Sequence, residues 1–169
     1  NHTGMLRAAT GPEGPFLPVA KIIGSDILDA VDPALRGEPG APPAASRPTR
    51  GPFRYTIRHV GVAVNGDRLD IYFSCVGHRP ERILRTTAAL AGAPETWTAR
   101  GVSEILRPEK PWEGSDLPLA YSRGGIARKR LNELRDPAVF SAQGRSWLVY
   151  TIAGEHGLGL AEIDEPAAP

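Results

Sequence analysis

Leu134-Arg135-Asp136-Pro137-Ala138-Val139-Phe140, followed through Gln143-Gly144 by Trp147-Leu148-Val149-Tyr150, decides how this chain is read. A carboxylate stands at the mouth of a hydrophobic strand, and the chain returns at once as a second strand. Pro137 lacks an N–H and disfavours the α region for Asp136, so the pair predicts a strand entrance with Asp136 in extended backbone. The returning strand ends at Ala153-Gly154-Glu155, which brings a second carboxylate to the same rim. Two acids at one end of a β-hairpin point to a carboxylate site.

Working outward, a second hairpin precedes the first. Val60, Val62 and Val64 alternate with His59, Gly61 and Ala63, which predicts a half-buried strand with small residues on its other face. Asn65-Gly66 is a strong two-residue hairpin signal. The return strand sets Leu69, Ile71, Phe73 and Cys75 on one face and Asp70, Tyr72 and Ser74 on the other. Residues 83–90 make a third strand, whose Ala-rich end also suits a helix, and residues 96–102 a fourth. Arg58-His59 to Tyr72 parallels Arg135-Asp136 to Tyr150 at an offset of roughly 77 residues, longer than the ~40–50 of a propeller blade, with long connections making up the difference. Repeated antiparallel sheets of three or four strands predict an all-β β-propeller. Two blades cannot close a ring, so the chain is expected to be a segment of a longer one.

The rest is less regular. Phe16 to Ile23 predicts one edge strand, residues 25–31 one or two helical turns capped by Ser25, and residues 36–52 a Gly/Pro/Ala-rich, poorly ordered linker. The expected organisation is an irregular segment with linker over 1–52, two blades over 53–163 and a tail over 164–169. The connection 107–134 carries Trp112, Glu113 and Asp116, and a basic run Arg128-Lys129-Arg130 that reads as a solvated segment.

Composition narrows the function classes. The 169 residues are 41% hydrophobic with a formal charge of +1, a globular balance that gives no electrostatic case for nucleic acid or an anionic membrane. No apolar run reaches membrane-spanning length and no signal peptide is present in this chain, so a cytoplasmic location is the expectation. The single Cys75 excludes an internal disulfide and a multi-cysteine zinc site, and its strand context predicts burial.

Several blocks together resemble the five-bladed β-propeller glycoside hydrolases, the arabinanase/levansucrase/invertase-like group, and within it a poorly characterised branch of predicted glycosidases. They are Arg58-His59, Gly77-His78-Arg79-Pro80-Glu81-Arg82-Ile83-Leu84, Leu106-Arg107-Pro108-Glu109, Trp112-Glu113-Gly114-Ser115-Asp116-Leu117-Pro118-Leu119, Leu134-Arg135-Asp136-Pro137 and Tyr150 through Ala153-Gly154-Glu155. They cover about the last two thirds of the chain. His78 stands where the resemblance leads one to expect Asp. The resemblance implies hydrolysis of O-glycosidic bonds, with a nucleophile or base on the first blade, the Arg-Asp-Pro aspartate as transition-state stabiliser or pKa modulator, and a Glu of a later blade as acid.

Glycoside hydrolysis commonly uses two carboxyl groups flanking the scissile bond. Asp136 is accordingly the candidate stabiliser or base, Glu155 the candidate acid and Glu113 the reserve acid. Arg135 would hold Asp136 ionised. His59, Arg135, Asp116, His78, Arg82 and Trp112 are the candidate substrate contacts: His59 for a sugar hydroxyl, Trp112 for ring stacking, Arg82 with Arg79 for a carboxylated sugar. Each has a plain alternative: a structural Arg–Asp pair, a turn acid at Gly154, a hydrogen-bonded inner-wall histidine, loop packing for Trp112, and local ion pairs with Glu81 for the arginines. His78 and His156 lack tight ligand spacing, so neither metal nor cofactor is expected. The expected partner is a carbohydrate substrate, with the remaining blades outside this chain. The alternative function is a non-catalytic carbohydrate-binding propeller or an inactive remnant.

Overall fold

The computed structural model describes residues 5–8, 13, 17–23, 27 and 56–163. They form an all-β structure of three antiparallel sheets. The smallest pairs β1 (Met5–Ala8) with β2 (Leu17–Lys21), two strands where the sequence predicts one. The helical turn expected over 25–31, except Ile27, the linker over 36–52 and the tail from 164 lie outside the described residues.

The four-stranded sheet runs β3 (Thr56–Asn65), β4 (Arg68–Val76), β5 (Ile83–Ala89), β6 (Arg100–Leu106) as a meander. Its first hairpin closes at Asn65-Gly66 with Asn65 opposite Arg68 and Gly66 at φ 60°, the left-handed conformation such a turn requires. The Ala-rich end of residues 83–90 is strand rather than helix, because Ala88 and Ala89 pair with Leu69 and Arg68. The fourth strand starts later than its sequence predicts, since Pro94–Thr96 turn as a short 3-10 helix first.

The three-stranded sheet runs β7 (Arg135–Ala142), β8 (Arg145–Thr151), β9 (Leu158–Ile163). Gln143 and Gly144 both take positive φ, which gives the tight two-residue return. Tyr150 covers Gly159 across the β8–β9 pair, where a Cβ would stand 2.5 Å from the ring.

β3 lies alongside β7, so the two larger sheets meet through their first strands. Gly61 makes the approach possible: a Cβ there would stand 2.8 Å from the Pro137 carbonyl oxygen. Between the sheets Tyr72 and Ile83 pack with Leu134, Leu148 and Tyr150. On the far face of the four-stranded sheet Ile71, Phe73, Cys75 and Leu84 pack under Ile22, Ile23 and Ile27. The valine face of β3 departs from expectation. Val60, Val62 and Val64 are exposed, whereas Gly61 is buried and Ala63 partly buried against the neighbouring sheet. Small residues were needed where two backbones touch, and that requirement outranks the hydrophobicity of the alternation.

Candidate functional site

One end of the two larger sheets gathers the starts of β3 and β7, the β4–β5 and β8–β9 turns and the long connection from β6 to β7. Both first strands open with an irregularity. Pairing of β3 with β4 shifts between Ile57 and Val60, and that of β7 with β8 between Arg135 and Ala138. The residues leaving the ladder are Arg58-His59 in one strand and Asp136-Pro137 in the other, so Pro137's missing N–H leaves no gap in the ladder. Asp136 is not extended as predicted but sits at φ 48°, a left-handed conformation that Asp tolerates better than most residues.

The two irregularities bring His59 and Asp136 together. His59 Nδ1 lies 2.8 Å from Asp136 Oδ1 across the sheet boundary, with the histidine side chain 85% exposed and the aspartate 22%. No hydrogen bond engages the other carboxylate oxygen among the described residues. A carboxylate that orients an exposed imidazole is an arrangement suited to proton transfer.

Beneath this pair lies a buried charge cluster. Glu81 and Arg135 are fully buried, and Glu133 nearly so. Glu81 Oε1 accepts from Arg58 Nε at 2.6 Å and Ser74 Oγ at 2.7 Å, while Arg135 Nε lies 3.3 Å from Glu81 Oε2. Arg135 also pairs with Glu133, and its Nη1 donates to Glu155 Oε1 at 2.6 Å. Burial pushes the Glu81 carboxyl up to about 7 against the opposing pull of Arg58 and Arg135. Burial raises Glu133 as well, with Arg135 opposing it. Burial alone would lower Arg135, but Glu81 and Glu133 outweigh it and raise the guanidinium.

The sequence-predicted residues separate on this geometry. Arg135 turns into the cluster rather than toward Asp136, which meets the imidazole of His59 instead. Glu155 is at the same end as Asp136 and 23% exposed, yet Oε1 accepts from Arg135 and Oε2 from the Ala127 amide at 3.2 Å. A proton donor needs an oxygen free to carry the proton outward, and Glu155 has none in this arrangement. Glu113 lies deeper. It is buried, with Oε2 accepting the Glu109 and Lys110 amides at 2.9 and 3.0 Å and Oε1 the Tyr150 hydroxyl at 2.9 Å. It clasps its own loop. Burial, then this hydrogen bond and the Glu113 charge, push the Tyr150 phenol up.

His78 is fully buried, its carbonyl accepting the Ser122 amide, so it does not face a ligand in solvent. Arg82 is also fully buried and lies 2.7 Å from Glu104, while Arg79 sits over the Tyr121 ring at 5.6 Å. Trp112 is half exposed and lines a separate hollow of about 340 Å³ with Arg107, Tyr150 and Leu160. Asp116 is exposed, in a turn closed by the Leu117 amide on the Gly114 carbonyl. Among the described residues no group of three or more His, Cys, Asp or Glu side chains is arranged to hold a metal, and no helix is long and apolar enough to cross a membrane.

Sequence reasoning missed Glu81 and Glu133 as parts of the centre. Their signal is weak. They meet through an isolated parallel bridge, with the Leu134 amide donating to the Glu81 carbonyl, and neither periodicity nor spacing announces it. Arg58 was legible through the offset that it shares with Arg135.

No protein-family profile matches the chain, and no solved structure matches it. An uncharacterized protein of Acanthamoeba polyphaga mimivirus is 43% identical over 108 residues, covering 63% of this chain and 30% of the viral protein. The chain is therefore similar, over most of its length, to under a third of a longer viral protein.

Proposed function

We propose that this chain is part of a glycoside hydrolase that cleaves O-glycosidic bonds, with Asp136 as the stabiliser or base and His59 as the group that orients it and exchanges its proton. The observation that carries this reading is the 2.8 Å contact between Asp136 and an exposed His59 at the end where the connections converge. With Oδ1 held, Oδ2 is left to face a developing oxocarbenium ion or an attacking water. Glu155, engaged at both oxygens, fits a positioning role through Arg135, and the proton donor is then supplied from outside the described residues.

The architecture proposed with it is a five-bladed propeller in which the two larger sheets are consecutive blades. Three features support it: β3 and β7 lie side by side, their site residues are 77 positions apart, and the three-stranded sheet keeps an uncovered apolar face. Phe140 and Leu160 lie on that face, and Val60, Val62 and Val64 are the exposed β3 edge of a face that is covered over β4.

A second reading, a carbohydrate-binding propeller without catalysis, is favoured by one observation: of the three carboxylates proposed for chemistry, two have both oxygens engaged. Turnover of a panel of aryl glycosides by the full-length protein separates the two. Hydrolysis that falls about a hundredfold or more in Asp136→Asn, in the range of a lost general base, supports the enzyme. Undiminished turnover in that variant removes Asp136 from the chemistry. Sugar binding without turnover by the parent selects the binder.

A further inference from the structure

The connection between β6 and β7 carries a feature that the Asp136–His59 reading does not use. Residues 120–131 form one wall of a hollow of about 510 Å³, within the range of small-molecule sites, whose lining includes Tyr121, Arg123, Arg128, Lys129, Glu133 and Arg135. Four of these are cationic and one is anionic. The charge of Arg135 is offset within the buried cluster by Glu133, Glu155 and Glu81. Arg128 and Lys129 are exposed, and among the described residues no carboxylate lies in ion-pair contact with either. Arg128 and Lys129 thus set two adjacent cations in the lining of one concavity, where they favour an anion.

The wall is also fixed in place by the charged centre itself. Arg58 donates to the Arg123 carbonyl, Arg135 to the Gly125 carbonyl at 3.4 Å, and Glu155 accepts the Ala127 amide at 3.2 Å. The Leu131 amide closes the segment on the Ala153 carbonyl at 3.1 Å. Arg58 and Arg135 are the chain neighbours of His59 and Asp136, so the basic wall is anchored to the strand entrances that carry the proposed reaction centre. A loop pinned at four points presents its cations with less ordering left to do on binding.

We propose that this wall is an anion-recognition site, which takes a carboxylate or phosphate group carried by the sugar bound at Asp136 and His59. The inference rests on the carbohydrate reading above but not on turnover. Its test is equilibrium binding to the full-length protein, by titration calorimetry, of methyl β-glucuronide, glucose 6-phosphate and methyl β-glucoside. The expected result is that at least one anionic probe binds about tenfold or more tightly than the neutral glycoside, weakens with added salt, and loses that advantage in Arg128→Gln/Lys129→Gln. Preference for the glucuronide identifies a carboxylate as the natural group, and preference for glucose 6-phosphate a phosphate. Both substituted positions are exposed, so folding is not at stake. Equal binding of the neutral glycoside, no binding of either anionic probe, or an undiminished preference in the double variant overturns it. Because Asp136→Asn is expected to stop turnover without removing the anion preference, failure of the hydrolase reading and failure of this one are told apart.

Discussion

Replacing Arg135 by Gln removes the cation at the centre of the buried cluster and keeps most of the side-chain volume. Arg135 neutralises Glu133, approaches Glu81 at 3.3 Å and holds Glu155 at 2.6 Å. The three contacts are not equal. Glu155 is partly exposed, and an ion pair of that kind contributes about 1 kcal/mol or less. Glu81 retains Arg58 at 2.6 Å after the substitution. Glu133 retains no ion pair among the described residues, and breaking a buried pair by removing one partner typically costs about 3–5 kcal/mol. The expected loss at pH 7 is therefore about 3–5 kcal/mol, a large share of the ~5–15 kcal/mol that holds an ordinary domain together. The loss shrinks at pH 5, because the stranded carboxyls relieve their burial by taking up protons. Urea unfolding of parent and variant at both pH values, followed by tryptophan fluorescence, reads the two differences. A loss under 1 kcal/mol at pH 7, or an equal loss at both pH values, would refute the claim that Arg135 compensates buried carboxylates.

Two further outcomes are expected. Gly61→Ala sets a Cβ 2.8 Å from the Pro137 carbonyl oxygen, so the sheets must shift apart; thermal unfolding should report a loss of about 1–3 kcal/mol, and an unchanged midpoint would mean that the sheets do not meet there. Glu81 is raised from its ordinary 4.5 to about 7 on folding, so between those values the folded chain holds a proton that the unfolded chain releases, and stability falls as pH rises through that window. Glu133 acts in the same direction, so Glu81→Gln should flatten the pH dependence in part, which unfolding measured from pH 4.5 to pH 7.5 would detect.

The strands were legible wherever a local rule decided them. Asn65-Gly66 and Gln143-Gly144 place their hairpins through backbone conformation alone, and the alternation from Leu69 to Cys75 sorts the two faces of β4, both of which are buried. The valines of β3 misled because alternation reveals which residues share a face, not which face is covered. The start of β6 was misplaced because Pro94 begins a turn that periodicity does not register. At the site, the equivalence of His59 and Asp136 was readable from the offset between the hairpins, but their contact depends on how closely two sheets approach. The direction of Arg135 was not readable. Its partners lie 54, 2 and 20 residues away, and the irregularity that turns its side chain inward is a property of strand pairing.

The shared charge cluster has a mechanical consequence. Arg135 of one sheet grips Glu81, which lies beside the other, and Arg58 of that other sheet grips the same carboxylate. Sliding or hinging the sheets apart would strand opposite charges away from water, so the easy motions of stacked ribbons are closed off at this end. Amides in β4 and β8 should accordingly exchange with solvent through one joint opening event rather than two independent ones.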